Sequence, residues 1–335
     1  MVVLGFVVLA LVGCAIVWGG SGWLDTASER LAVYYELPPV VRGAVIAAVG
    51  SSFPELSTTV ISTLVHGSFE LGVAAIVGSA IFNILVIPAV SCLFGGGPLS
   101  ASREVVYKEA LFYMLAVAAL MLAFTFAVVY LPDPSGRLVG TMSRWIAAGP
   151  VALYLLYLFT QFQDAQEYHA EPPEEPVQAW REWGRLVASL ALILVGVELL
   201  VKAALGLGQA LGTSEFLWGV TVVAAGTSLP DAFVSARAAK AGDGETSLAN
   251  VLGSNTFDLL IALPVGILIA GSATISLGTA TPMMAALTFA TLILFVMLRT
   301  DMSLSRAEAV GLLALYAAFV VWMVLETVGV TSLMR

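Results

Sequence analysis

Two stretches of this sequence set acids, hydroxyls and a proline inside otherwise apolar runs: GSSFPELSTT from Gly50 to Thr59, and GTSLPDAFVS from Gly226 to Ser235. In each, a pair of hydroxyl side chains (Ser51 and Ser52, then Thr227 and Ser228) stands four and three residues before a carboxylate, Glu55 or Asp231. Steps of three and four residues share one helix face. Further on, Ser79 precedes Asn83 and Ser254 precedes Asp258 by the same step of four. This donor set is all oxygen, with no Cys or His, and selects hard cations such as calcium, sodium or magnesium over zinc or copper.

The setting of these groups is a membrane. The 335-residue chain is 59% hydrophobic and 11% charged, with a mean hydropathy of +0.97, too apolar for a soluble domain of ordinary charge content. About ten spans long enough to cross a bilayer as helix can be placed: 2–20, 40–64, 70–95, 106–130, 140–162, 184–206, 214–237, 246–271, 277–298 and 307–329. Their length excludes barrel strands, so the expected architecture is an all-α integral membrane protein. Carboxylates inside such spans cost several kcal/mol on insertion unless compensated, which makes them functional candidates.

Proline explains what the polar stretches do to the backbone. Pro54 has no N–H to offer the Gly50 carbonyl, and Pro230 none for Gly226. Carbonyls near 47–50 and 223–226 are therefore expected to leave the helix ladder and to line a hydrated, protein-enclosed cavity where a cation can use them.

The two polar stretches are copies of one another. Val41–Val60 and Leu217–Ala236 align at an offset of 176, matching Gly50 with Gly226, Ser52 with Ser228, Pro54 with Pro230 and Glu55 with Asp231. Val77–Val86 and Leu252–Ile261 align at an offset of 175, matching Ser79 with Ser254, Phe82 with Phe257 and Asn83 with Asp258. Five helices per copy is an odd number, so the second copy enters the membrane from the opposite side. The organisation expected is a first five-helix repeat over 1–163 (motif 43–88), a polar acidic linker over 164–183, and a second, inverted five-helix repeat over 184–335 (motif 219–264). In such designs substrate sites lie near the midplane, on interrupted helices at the repeat interface.

The remaining features read more plainly. No Lys or Arg precedes Arg30, so the first apolar stretch is expected to stay as a helix rather than serve as a signal peptide, which opens on positive charge. Of the 14 basic residues, ten fall by the odd-numbered connections and four on the other side, which places both termini outside. The linker's Pro172, Pro173 and Pro176 oppose helix, and its acids lack the ligand order and glycine of a calcium-binding loop. Cys14 and Cys92 read as small buried hydrophobes, His66 and His169 as surface residues, and Asn255 as packing or capping. Ser57, Thr58, Thr59, Ser235 and Ser247 read as helix-packing hydroxyls. Glu198 has no assignment.

As a set, GSSFPEL with GSAIFNIL and GTSLPDA with GSNTFDLL resemble the two alpha-repeats of the calcium/cation antiporter superfamily, in its sodium/calcium exchanger branches. The resemblance implies ten helices in two inverted halves, with helices 2, 3, 7 and 8 holding the ions and helices 1 and 6 sliding across them. It implies calcium-ligating roles for Glu55 and Asp231 and further ligand roles for Asn83 and Asp258. The hydroxyls of Ser51, Ser52, Ser79, Thr227, Ser228 and Ser254, with the backbone carbonyls of Ala48 and Ala224, would hold sodium. No cofactor is implied. The partners are calcium and sodium ions and the lipid bilayer, with no nucleic acid and no obligate protein partner, and the expected location is the plasma membrane of a prokaryote.

Alternatives stay open at this stage. Asp231 with Asp258 is also similar to the potassium-dependent branch, and proton coupling is a further option. An intramembrane aspartyl protease would pair the same two acids within hydrogen-bond reach, but would not need Glu55 and Asn83 in equivalent places. A passive cation channel would need a continuous pore rather than a closed midplane site.

Overall fold

The computed structural model of the chain describes residues 1–35, 48–164 and 178–334. Glu167, Glu171, Glu174, Glu175 and His169 of the linker, and the first part of the span expected at 40–64, lie outside the described residues.

Among the described residues, eight helical segments are long and apolar enough to cross a membrane. They are α1 (Val2–Tyr34), α4 (Phe69–Leu85) with α5 (Ile87–Phe94), α6 (Ala110–Tyr130) with the π-helical turn before it, α7 (Arg144–Asp164), α8 (Ala179–Leu211), α12 (Gly244–Phe257) with α13 (Leu263–Ala270), α14 (Leu277–Arg299) and α15 (Arg306–Thr327). A further pair, Glu215–Thr227 and Leu229–Lys240, bends by 44° and makes a ninth span if counted as one. It contains α9 (Glu215–Trp218), a π-helical turn (Gly219–Val223), α10 (Ala224–Thr227) and α11 (Leu229–Lys240). Its counterpart in the first half appears as α2 (Ala48–Ser51) and α3 (Phe53–Leu64).

Local chemistry sets several of the boundaries. Asp243 caps α12 by accepting from the Thr246 backbone N–H at 2.9 Å, and hydrogen bonds from Thr246 hold its carboxyl below the usual carboxylate range. Ser305 and Glu308 form a capping box at the start of α15, satisfying two otherwise orphaned N–H groups. Gly212 ends α8 at φ 63°, a left-handed conformation that only glycine adopts without strain.

α1 and α8 run farther than the hydropathy suggested, 33 residues each, roughly 50 Å at about 1.5 Å per residue. They pack closely through glycines. A Cβ on Gly13 would meet the Gly196 carbonyl at 2.9 Å, and one on Gly196 would meet the Val17 nitrogen at 2.9 Å. Small residues of this kind let backbones approach in lipid. At one end the pair is tied by Arg30 Nη1 donating to Glu182 Oε1 at 3.2 Å and by Trp183 Nε1 donating to the Tyr35 hydroxyl at 3.1 Å. Most other α1 side chains face outward, whereas α4 is buried on nearly every side.

The all-α expectation needs one correction, because the helix ends are joined by two short antiparallel ribbons. β1 (Leu99–Ser100) pairs with β4 (Ser303–Leu304), and β2 (Val139–Ser143) pairs with β3 (Ser272–Ser276), in register from Val139 with Ser276 to Ser143 with Ser272. Each ribbon takes one strand from each half of the chain. The connecting segments carry β-branched and hydroxyl residues, and backbone groups that leave a helix still need partners.

Candidate functional site

Both broken helices are interrupted at a serine. Ser52 separates α2 from α3 with φ −94° and ψ 8°, and Ser228 separates α10 from α11 with φ −80° and ψ −3°. The chain re-enters helix at once, with Leu56 N donating to Ser52 O at 3.1 Å and Ala232 N to Ser228 O at 3.0 Å. Pro54 and Pro230 thus sit in the first turns of new helices, where a missing N–H costs least. The break falls two residues after the glycines named by the sequence.

This geometry places Glu55 and Asp231 in the first turns of α3 and α11, where the positive end of a helix favours negative charge. The neighbouring helices close over them with a repeated contact. Ser79 Oγ of α4 donates to Glu55 Oε1 at 3.4 Å, and its repeat mate Ser254 Oγ of α12 donates to Asp231 Oδ1 at 3.1 Å. Across the halves, Ser79 and Ser228 hydroxyls lie 2.7 Å apart and Ser51 and Ser254 hydroxyls 3.3 Å apart. Asn83 Nδ2 donates to Asp231 Oδ2 at 3.3 Å and to Asn255 Oδ1 at 3.0 Å. Seven of the site side chains named from sequence thus fall in two hydrogen-bonded groups that cross the halves, Glu55–Ser79–Ser228 and Ser51–Ser254–Asp231–Asn83, which together make the cluster at the seam of the two repeats.

Asp258 joins them differently. It opens a π-helical turn, Asp258–Ala262, whereas its mate Asn83 sits in regular helix α4. Such turns locally relax the hydrogen-bond ladder and recur at functional sites. Thr227 turns its hydroxyl to the Ala224 carbonyl at 3.3 Å, and that carbonyl also receives the Ser228 N–H at 3.1 Å. The Ala224 carbonyl, expected to be released, is thus engaged in this conformation because the helix break lies later than the glycine. Ala48 opens α2.

The cluster is sealed and electrostatically incomplete. Glu55 is 1% exposed, and Asp231, Asp258 and Asn83 are 0% exposed. None of the ion pairs among the described residues involves these three acids. Five oxygens, Ser52 Oγ, Glu55 Oε2, Asn83 Oδ1 and both carboxylate oxygens of Asp258, have no hydrogen-bond partner among the described residues. Buried polar groups are ordinarily paired, and buried charges must be neutralised by a proton, a partner or a cation. Among the described residues no three His, Cys, Asp or Glu side chains converge as a metal centre. A cation at this position would have to draw part of its shell from hydroxyl, amide and backbone oxygens, which is what sodium and calcium accept.

Other sequence readings meet mixed outcomes. Thr58 and Thr59 hydroxyls turn back to the Pro54 and Glu55 carbonyls at 2.8 and 3.3 Å, as packing hydroxyls do. Cys92 is buried and Cys14 half-buried, both unpaired with one another. His66 is a correction. Its side chain is only 16% exposed, and Nε2 lies 2.9 Å from Glu198 Oε2, while Glu198 Oε1 holds Lys202 at 2.9 Å. The unassigned Glu198 of α8 thereby touches the turn after α3, a contact no local pattern could reveal because the residues are 132 apart. Asn255 is the cluster member that sequence reasoning missed. Its signal was its place three residues before Asp258, on the same helix face.

Comparison with known proteins places the chain in a family. The model of the family described as sodium/calcium exchanger protein matches residues 5–163 and 182–325. The membrane protein MJ0091 of Methanocaldococcus jannaschii is 30% identical over 307 residues, 91% of this chain and 94% of that protein. The sodium/calcium exchanger MaX1 of Methanosarcina acetivorans is 25% identical over 353 residues, 96% of this chain and 99% of that one. Among solved structures, the sodium-calcium exchanger NCX_Mj soaked with sodium and strontium superposes with a TM-score of 0.63 at 27% identity, covering 95% of this chain and 98% of that one. The matched family, MaX1 and NCX_Mj are sodium/calcium exchangers and not enzymes, which removes the aspartyl protease reading. With both halves matched and only the acidic linker between them left out, the chain belongs to the sodium/calcium exchanger protein family of membrane cation antiporters.

Proposed function

We propose that the protein exchanges calcium for sodium across a prokaryotic plasma membrane, by alternating access to the cluster at the seam of the two repeats. One observation carries the reading: five buried oxygens without a partner among the described residues stand among three buried carboxylates that no cationic side chain of the described residues pairs with. Glu55 and Asp231 supply the charge that replaces calcium's hydration shell. Asn83 and Asp258 flank them, and the hydroxyls of Ser51, Ser52, Ser79, Thr227, Ser228 and Ser254, with the Ala48 and Ala224 carbonyls, serve sodium.

Alternating access needs a body that moves over the site. The α1–α8 pair suits this role, since its glycine seam and end ties hold it together and it touches the broken helix directly. A Cβ on Gly226 would meet Cys14 Sγ at 2.9 Å and Leu200 Cδ1 at 3.0 Å. Occlusion of all three acids favours this scheme over a continuous pore. Both termini lie outside, by the distribution of basic residues.

The decisive experiment is radiocalcium uptake into proteoliposomes loaded in turn with sodium, potassium or protons. Uptake driven by internal sodium is expected. Uptake driven by a proton gradient alone, indifferent to sodium, would replace the sodium assignment, and flux without any counter-ion gradient would favour a channel.

A further inference from the structure

Asn255 is fully buried, at 0% exposure, and its two amide ends face different partners. Its Nδ2 donates to the Ala80 backbone carbonyl at 3.1 Å. Its Oδ1 accepts from Asn83 Nδ2 at 3.0 Å. A carbonyl only accepts, so the Ala80 contact fixes which end of Asn255 points toward α4. Asn255 must then present oxygen to Asn83, and Asn83 must answer with nitrogen. The Asn83 nitrogen spends its second hydrogen on Asp231 Oδ2 at 3.3 Å. What remains is Asn83 Oδ1, buried and without a partner among the described residues.

We infer that Asn255 is a positioning residue: it orients the Asn83 amide so that oxygen, and not nitrogen, is offered to the transported cation. The inference rests on the exchange reading given above, in which Asn83 is a ligand. The polarity originates in main chain, which cannot rotate, and passes through two amides to the site. An amide that flipped would withdraw a carbonyl ligand and turn N–H groups, the positive end of the dipole, on the ion. Without Asn255, only Asp231 would resist the flip, through one hydrogen bond instead of two.

The repeat gives this device a place in the fold. Asn255 and Ala80 are repeat mates at the offset of 175, so the contact joins equivalent points of α12 and α4, close to the axis that relates the halves. Ala80 has no polar side chain to return the bond. The second half's Asp258 needs no such orientation, because its two carboxylate oxygens are chemically alike. Asn83 is the asymmetric ligand, and the orienting residue faces it.

The test is calcium uptake kinetics of the purified full-length protein in sodium-loaded proteoliposomes. Asn255→Leu keeps the side-chain volume and removes both polar ends. It is expected to raise the calcium KM about tenfold, the equivalent of about 1.4 kcal/mol, with maximal rate and yield near those of the wild type. In an Asn83→Asp background there is no amide to orient, so adding Asn255→Leu should raise KM no further. An unchanged KM in Asn255→Leu, or the same rise in both backgrounds, would show a packing role only and overturn the inference. Should Asn255→Leu not fold, Asn255→Ala carries the same comparison. Asn83→Ala separates the two readings: if it leaves calcium KM unchanged, the ligand assignment fails and this inference falls with it. If Asn83→Ala raises KM while Asn255→Leu does not, only the positioning role is lost.

Discussion

Ser79 and Ser228 lie 149 positions apart and share a 2.7 Å hydrogen bond across the seam of the two repeats. Their repeat mates are Ser254 and Ser52. Yet Ser254 pairs with Ser51 at 3.3 Å, one residue earlier, and Ser52 Oγ keeps no partner among the described residues. The halves therefore carry the same parts in different engagement. Under the alternating-access scheme proposed above, such a difference is what the opposite access state would exchange, with the asymmetry at the two broken helices.

The central acids give the first prediction. Glu55→Gln and Asp231→Asn keep the size of each side chain, and each retains an oxygen to accept from Ser79 or Ser254. They remove the charge that offsets cation dehydration. Calcium uptake into sodium-loaded proteoliposomes is expected to fall to background, while gel filtration shows wild-type yield and size. Wild-type exchange by either purified variant would remove that residue from the ion site.

Close packing behind the site gives the second. A Cβ on Gly78 of α4 would lie 2.5 Å from the Val220 carbonyl and 2.7 Å from Val220 Cα, in the π-helical turn that leads into the broken helix. Backbone on both sides cannot yield as a side chain tip would. Gly78→Ala should cost about 1–3 kcal/mol as overpacking, read as a lower thermal midpoint in detergent. Because α4 also carries Ser79, exchange should fall with it. A midpoint equal to the wild type would contradict this helix contact.

Much of this site was legible in sequence, for a physical reason. Pro54 and Pro230 betray their breaks by chemistry alone, and acids within apolar spans declare themselves by their cost. The repeat then supplied what pattern cannot, a register between distant segments, so that Ser79 with Glu55 and Ser254 with Asp231 could be placed together before any contact was seen. What stayed hidden depends on tertiary approach. Ser52 and Ser228, rather than the glycines, carry the break, since the backbone chooses its hinge by what surrounds it. Asn255 could not be told from a packing residue without Ala80 opposite. His66 looked exposed until Glu198 reached it, and the ribbons pair segments too short to show period-two alternation.

Those ribbons give the third prediction. Thr141 of β2 faces Thr274 of β3, and directly opposed residues of an antiparallel pair have Cβ atoms about 4.5–5.5 Å apart, near the reach of a disulfide. Each ribbon joins the two halves outside the α1–α8 pair. If that pair moves while the rest holds still, a Thr141→Cys/Thr274→Cys disulfide, made with Cys14 and Cys92 replaced, should form and leave exchange within about twofold of the reduced protein. Transport arrested by oxidation and restored by reductant would mean that the halves move against each other at the ribbon.

The coupling ion gives the last prediction, and it turns on the one matched pair of site residues that differs in charge. Asn83 sits in regular helix with its nitrogen committed to Asp231 and Asn255, whereas Asp258 opens a π-helical turn with both oxygens partnerless among the described residues. In the proposed site Glu55 and Asp231 would balance one calcium ion, which makes Asp258 the additional negative group. Were it to neutralise a co-transported potassium ion, calcium uptake would require potassium, and Asp258→Asn would abolish that requirement while keeping some exchange. Were it protonated or hydrated when calcium is bound, and sodium-neutralised in the other half-cycle, potassium would be irrelevant. Charge balance does not separate the two, since three sodium ions or calcium with potassium each offset three carboxylates; the second outcome is expected, with exchange depending on sodium alone. The measurement is calcium flux with and without potassium, at clamped membrane potential so that potassium cannot act as a charge shunt. Stimulation of the wild type by potassium, lost in Asp258→Asn, would assign the third carboxylate to potassium instead.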